Sequence, residues 1–343
     1  MRRIPELDAL RGLAAVSVVA FHAWPTVFFL GWAGVDLFFV LSGFLITSII
    51  LEQHHDPRFL RIFYFRRLLR IWPVYFSVLA AVLVLNAFAP TPWPTEGLPW
   101  HVVFLQNVQR YAGQDPPGFI YSFYPSWSVA LEEQFYLLWP ALLAAFAFRR
   151  VTGLVALMIS ASIALRIAGL HEHLLLARFD GLSAGALLAQ LLRHEPSPAQ
   201  RHRLRRVLLL IGALSLAYLA VYAARFWRSP VTHWQPSLFA ATSGAALSLI
   251  GLVVLASGSP ALRLLRRGSL LRLGLISYAL YMWHMPVLNY VPGALERLGM
   301  TSAVLVNAIT WPLVFGIPVA SYWLLEKPVM RWRRLLPYQS ELR

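Results

Sequence analysis

Apolar residues gather into runs at 13–30, 32–51, 71–89, 127–148, 151–170, 180–192, 207–224, 237–256, 273–290 and 302–325. At a helical rise of about 1.5 Å per residue, most of these runs cross a hydrocarbon core about 30 Å thick. Only 180–192 is short for a span. The pattern predicts an all-α, polytopic integral membrane protein of about 10 transmembrane helices. One long outer segment, 90–126, carries Pro90, Pro92, Pro94, Pro99, Pro116, Pro117 and Pro125 together with Trp93 and Trp100. Proline at that density excludes a continuous helix, and the aromatics suit the headgroup level, so a loop folded over the outer mouth is expected. The chain closes in a basic amphipathic stub, 326–343, expected along the inner surface. With no internal repeat, 1–343 reads as a single transmembrane domain.

Composition agrees with the runs: 58% of the 343 residues are hydrophobic and only 13% are charged. The formal charge of +15 raises the question of nucleic acid, and the placement of the charges answers it. With the N- and C-termini in the cytoplasm, 24 of the 30 Lys and Arg fall on the inner side and 6 on the outer half or outer loops. That is the positive-inside bias, so the basic character is topological and the partners are membrane lipids, not nucleic acid. The absence of cysteine excludes disulfides, thiolate metal sites and a cysteine nucleophile. Arg2 and Arg3 ahead of an apolar stretch resemble a signal peptide. No small-x-small cleavage site follows, so residues 10–30 read as a retained first span.

Ionisable groups inside spans cost several kcal/mol unless paired or wetted, which makes each a functional candidate. Asp8, Arg11 and His22 fall on one stripe of the first span. Arg11 and His22 are about 20° from eclipsed and about 16 Å apart along the axis. A polar line of that length fits the wall of a water-accessible cleft. It equally fits an interfacial Asp8–Arg11 pair plus a satisfied core histidine. Glu132 and Glu133 open the fourth span, and because adjacent helical residues point about 100° apart, only one is expected to face a cleft. In the ninth span Tyr281 and His284 lie one turn apart on one face. Two imidazoles and a carboxylate at one depth suit proton transfer. They lack the local spacing of a metal site, and no metal is expected. Arg66, Arg67 and Arg70 crowd one side of a helix end, where planar guanidinium forks suit phosphate or serve as ordinary positive-inside anchors. Asp36 reads as a gate residue or an interfacial one. Arg178 and Asp180 are expected to pair with each other, and Glu326-Lys327-Pro328 reads as an interfacial helix stop.

The ordered set of motifs resembles the bacterial membrane-bound acyltransferase-3 family, which includes O-antigen, exopolysaccharide and Nod-factor O-acylases. The matching strings are Glu6-Leu7-Asp8-Ala9-Leu10-Arg11-Gly12 followed by His22, Gly34-Val35-Asp36-Leu37-Phe38-Phe39 through Ser42-Gly43-Phe44-Leu45, and Arg67-x-x-Arg70 before Pro73. They continue with Trp127-Ser128 through Glu132-Glu133-Gln134-Phe135-Tyr136, Arg178-Phe179-Asp180, Ser277-Tyr278 to His284, and Glu326-Lys327-Pro328. The resemblance implies transfer of an acyl group, usually acetyl, from cytoplasmic acyl-CoA to a hydroxyl of a cell-envelope or extracellular carbohydrate or glycolipid. Acetyl-CoA would be a donor substrate, with no permanently bound cofactor, and the location a bacterial inner membrane. It implies His22, Glu132 and Asp8 as catalytic, Arg11, Arg67 and Arg70 as binding the CoA, and Trp127, Tyr281, His284 and Asp36 as meeting the acceptor. Many relatives carry a soluble hydrolase-like domain after the last span, and no such extension is expected here. The outer loop and spans seven and eight match no motif, which leaves the acceptor open. A proton-coupled transporter is the competing reading, since intramembrane His, Asp and Glu also relay protons.

Overall fold

The computed structural model describes residues 4–89, 91–92, 94–111, 122–145, 151–226 and 236–341. Pro90, Trp93, Pro116, Pro117, Arg2, Arg3, Arg149, Arg150, Arg228 and Arg343 lie outside the described residues. The helices are α1 (Pro5–Ala23), α2 (Gly34–Gln53), α3 (Phe59–Ala87), α4 (Leu98–Val102), α5 (Gln106–Tyr111), α6 (Ser126–Ala145) and α7 (Val151–Ile167). They continue with α8 (Leu175–Leu191), α9 (Pro198–Phe226), α10 (Pro236–Leu255), α11 (Gly268–Arg297), α12 (Ala303–Ser321) and α13 (Lys327–Met330). Among the described residues ten of these have 17 residues or more.

The protein is all-α, and among the described residues five stretches are long and apolar enough to cross a bilayer: Gly31–Gln53, Phe59–Ala87, Pro198–Phe226, Pro236–Leu255 and Ala303–Leu335. The other long helices are shorter or more polar. Glu6, Asp8 and Arg11 interrupt the apolar character of α1, and α7 and α8 have 17 residues each. That length sits at the lower end of what a bilayer core requires.

Two compact units divide the chain: Met1–His54 with Leu131–Gly274, and His55–Ala130 with Leu275–Arg343. In the first unit, α1 starts with proline at its first position and acidic residues in its first turn, where a missing N–H and the helix dipole favour them. It ends at Ala23, well before the end of the apolar run. Trp24 precedes Pro25 and takes φ −140°, ψ 69°, because the proline ring disfavours the helical region one residue upstream. Helices α2 and α8 approach so closely that a Cβ on Gly43 would strike the Leu182 carbonyl, and one on Gly185 the Val40 carbonyl. Small residues at such crossings let backbones touch and packing do the work that hydrophobicity cannot do in lipid. Around this crossing Leu7, Leu10, Val40, Leu41, Phe44, Leu188, Ala246 and Ile250 form one buried cluster.

In the second unit, α3 begins at Phe59, ahead of the apolar run at 71–89, so Arg61, Arg66, Arg67 and Arg70 stand on its first turns, and Pro73 lies inside it. The proline-rich segment after α3 holds two short helices, α4 and α5, and is anchored at Tyr75. The Tyr75 hydroxyl donates to the His101 carbonyl at 2.8 Å, and the Gln106 amide donates to the Ser126 carbonyl at 2.8 Å. His101 donates from Nδ1 to the Gly97 carbonyl at 3.0 Å, and burial holds its imidazole below the ordinary value. Beyond α12 the chain makes a π-helical turn at Tyr322–Glu326, then α13, then a 3-10 turn at Arg331–Leu335.

The stub that follows is a hook folded on its own unit. Arg66 donates to both carboxylate oxygens of Glu341, at 2.8 and 2.6 Å, and to the Leu336 carbonyl at 3.1 Å. Its guanidinium also lies 4.4 Å from the centre of the Tyr338 ring, which stacks on Phe59. Asp56 accepts from the backbone N–H groups of Arg58 and Gln339, at 2.9 and 3.0 Å, which lower its carboxyl below the usual range. The Arg66 hydrogen bonds do the same for Glu341, and burial pushes the Tyr338 phenol up to about 12.

Candidate active site

The chemistry-bearing residues of the first unit form three groups. On α1, Asp8 and Arg11 are one turn apart, with Asp8 Oδ1 and Arg11 Nη1 separated by 3.8 Å and each side chain about one-fifth exposed. Higher on the same helix, His22 places Nδ1 3.0 Å from the Val18 carbonyl. A carbonyl only accepts, so Nδ1 carries the proton and Nε2 is the basic nitrogen of the neutral ring.

The second group joins α6 to α2. Ser42 Oγ donates to Glu132 Oε1 at 2.7 Å, and the Tyr136 hydroxyl stands 3.0 Å from both Glu132 Oε2 and Ser42 Oγ. Glu132 and Tyr136 are four residues apart and share a face of α6. Both oxygens of this carboxylate therefore accept from hydroxyls, an arrangement that fixes its orientation. One and two turns further along, Phe135 stacks on Trp139, whose indole N–H donates to Thr47 at 2.8 Å. The sequence motif contained Ser42 and Tyr136 but gave no sign that they meet.

The third group is a buried ion-pair network, and it corrects the expected Arg178–Asp180 pair. Arg178 pairs with Asp36 of α2, and Asp180 accepts from Arg166 of α7 at 2.7 Å. Residues two apart on a helix point about 200° apart, so Arg178 and Asp180 face different neighbours. Thr242 donates to the other Asp36 oxygen at 2.8 Å, and the Arg178 guanidinium lies 4.3 Å from the centre of the Phe239 ring. Asp36, Arg178, Asp180 and Arg166 are each 5% exposed or less. Glu6, given no role by the sequence, is also fully buried and accepts from Arg266 at 2.8 Å and the Gly258 N–H at 3.0 Å.

In the second unit, Arg67 and Arg70 stand one turn apart on α3. Arg67 lies 5.8 Å from the centre of the Phe63 ring, and Arg70 reaches the Met330 sulfur at 3.5 Å. Arg333 and Glu326 bring further charge to Arg70 from the chain after α12. Glu326 closes the π-helical turn and is 1% exposed, and neither of its oxygens has a hydrogen-bond partner among the described residues. Single π turns inside helices recur at functional sites.

Tyr281 and His284 stand together on α11, their ring centres 5.9 Å apart. The Tyr281 hydroxyl donates to the Pro125 carbonyl at 2.9 Å and lies 2.7 Å from Ser128 Oγ. His284 is fully buried and holds Nδ1 2.7 Å from the Tyr281 carbonyl, which selects the same tautomer as in His22. Trp127 is half-buried and adjoins Ser128 in the chain. His22, Glu132, Asp8, Arg11 and Asp36 thus belong to one unit, and Arg67, Arg70, Trp127, Tyr281 and His284 to the other.

An all-α membrane protein with ionisable side chains set in its helices and polar networks holding their orientation is the class these features define. The chain belongs to the family described as "Acyltransferase domain", which matches residues 4–327. It is 28% identical over 376 residues to the peptidoglycan O-acetyltransferase OatA of Listeria monocytogenes, a match covering 96% of this chain and 56% of that protein. It is 30% identical to a putative O-acetyltransferase of Staphylococcus aureus, covering 85% of this chain and 52% of the relative. It is also 27% identical to the putative peptidoglycan O-acetyltransferase YrhL of Bacillus subtilis, covering 96% and 55%. The chain spans about half the length of the curated relatives it matches. No solved structure matches it. Family and helices together make it a multi-pass protein of a bacterial inner membrane.

Proposed function

We propose that this protein transfers an acetyl group from cytoplasmic acetyl-CoA to a hydroxyl of a cell-envelope carbohydrate. All ten long helices would span the membrane, with both ends of the chain cytoplasmic, as the positive-inside count favours. The observation that carries the chemistry is the hydrogen bond from His22 Nδ1 to the Val18 carbonyl, which makes Nε2 the basic nitrogen.

Nε2 removes the proton of the acceptor hydroxyl as its oxygen attacks the thioester carbonyl. The tetrahedral oxyanion collapses, the C–S bond breaks, and the leaving thiolate takes the proton back from the imidazolium. Glu132, oriented by Ser42 and Tyr136, stabilises the positive charge that develops on the imidazole or holds the acceptor. Asp8 keeps Arg11 aimed along α1. Arg67 and Arg70 bind the CoA phosphates, a task that suits guanidinium forks. Trp127, Tyr281 and His284 meet the carbohydrate. Asp36, its two oxygens engaged by Arg178 and Thr242, positions α2 at the acceptor end of the site.

The test uses the full chain in nanodiscs with acetyl-CoA labelled in the acetyl group. Release of label from the thioester, and its appearance on a bacterial envelope carbohydrate fraction, is the expected result. A folded protein that neither binds nor turns over acetyl-CoA would return the transporter reading.

A further inference from the structure

We infer that the turn joining α7 to α8 is a binding site for a zinc-class divalent cation, with His171, Glu172 and His173 as ligands. This goes beyond acyl transfer and does not depend on it.

The two Nδ1 atoms of His171 and His173 face each other at 3.0 Å, and the Glu172 carboxylate oxygens lie 3.6 Å from one and 3.8 Å from the other. One ligand atom from each residue falls within a single 4.8 Å group. Ligands about 2.05 Å from a tetrahedral zinc stand about 3.3 Å from one another. The observed separations bracket that value, and two imidazoles with one carboxylate form a donor set that zinc accepts, leaving a fourth position for water.

The local backbone builds this convergence. α7 closes with Gly169 at φ +91°, whose N–H donates to the Arg166 carbonyl at 3.0 Å while the Leu170 N–H donates to the Leu165 carbonyl at 2.9 Å. That is the paired capping pattern of a left-handed glycine, and it turns the chain sharply. The Leu174 N–H then donates to the His171 carbonyl at 3.0 Å, so the three ligand residues sit on a closed turn. Below it Arg166 ties α7 to the Ala177 carbonyl and to Asp180, and Ser162 donates to the Leu176 carbonyl at 2.7 Å. The helices carrying the turn are thereby clamped together.

Without a cation, one Nδ1 must donate its proton to the other, because two lone pairs would repel at this distance. A metal takes the place of that proton, which moves to Nε2 of the same ring, so both Nδ1 atoms coordinate without net proton release. His171 and Glu172 are about one-third exposed and leave a way in, while the His173 side chain is 8% exposed. In the topology proposed above, the turn faces the outer compartment, and the bound cation would staple α7 to α8 there.

The full chain in nanodiscs, stripped with chelator, is titrated with Zn2+ against a chromogenic competitor. Wild type is expected to take up one equivalent more than the His171→Ala/His173→Ala variant and to melt at a higher temperature with zinc, a shift the variant lacks. Glu172→Gln should keep the stoichiometry with weaker affinity. Equal zinc uptake by wild type and the double variant, or none by wild type, overturns the site.

Discussion

Ser42 and Glu132, 90 residues apart in the chain, are joined by a 2.7 Å hydrogen bond in which the serine hydroxyl donates to the carboxylate. Each comes from a different motif, and the bond shows what the two motifs do for each other. Hydrogen bonds to a charged group contribute about 1.5–3 kcal/mol. Ser42→Ala should therefore lower kcat for acetyl transfer by about 10- to 100-fold with KM for acetyl-CoA little changed. Steady-state kinetics on the two proteins check it, and an unchanged kcat would remove Glu132 from the reaction.

The Asp36–Arg178 pair predicts a stability effect with a different signature. Removing one partner of a buried pair strands the other charge and costs about 3–5 kcal/mol. Arg178→Ala should unfold at a markedly lower temperature than wild type in detergent, and Arg178→Lys should recover only part of the loss. A melting temperature for Arg178→Ala within a degree of wild type would contradict the account.

Close backbone contact at Gly43 and Gly185 makes a third case. A methyl group at either position meets a main-chain carbonyl, which cannot rotate away as a side chain could. Gly43→Ala and Gly185→Ala should each destabilise by about 1–3 kcal/mol. Gly153→Ala, at a position with open space around it, serves as the control and should be neutral. Thermal melts of the three variants decide the matter.

The hook at residues 336–341 should release in acid. Asp56 and Glu341 have folded pKa values below their ordinary 3.8 and 4.5. Their contribution is present above those ordinary values and is lost as pH falls through the lowered ones. The protection factors of the Gln339 and Glu341 amides, measured against the intrinsic exchange rate at each pH, should be large at pH 6 and collapse as the medium is taken below about pH 4. Arg66→Ala should make the hook exchange fast at both pH values.

The all-α, multi-pass class was legible because helices spanning lipid must be long and apolar, and such helices leave long apolar runs in the sequence. Boundaries were less so. The apolar run at 13–30 continues past Pro25, but the helix stops at Ala23 for a local steric reason. The apolar run set the expected start of the third span at residue 71, whereas the helix begins at Phe59, because polarity and not propensity set the expected boundary and arginine is a good helix former. Within the candidate site, residue types were visible but partners were not. Asp36 and Arg178 meet across 142 residues, a relation that spacing cannot encode. The choice of Asp36 over Asp180 follows from directions around a helix, and period alone could have excluded the local pair. His171, Glu172 and His173 escaped notice because a three-residue turn has no periodicity to read.

The most direct test of the central claim compares wild type and His22→Ala in nanodiscs, measuring acetyl-CoA binding and acetyl transfer on the same samples. The expected result is acetyl-CoA bound equally well by both proteins and transfer lost in the variant. Transfer at the wild-type rate by folded His22→Ala would contradict the assignment of His22 as the base.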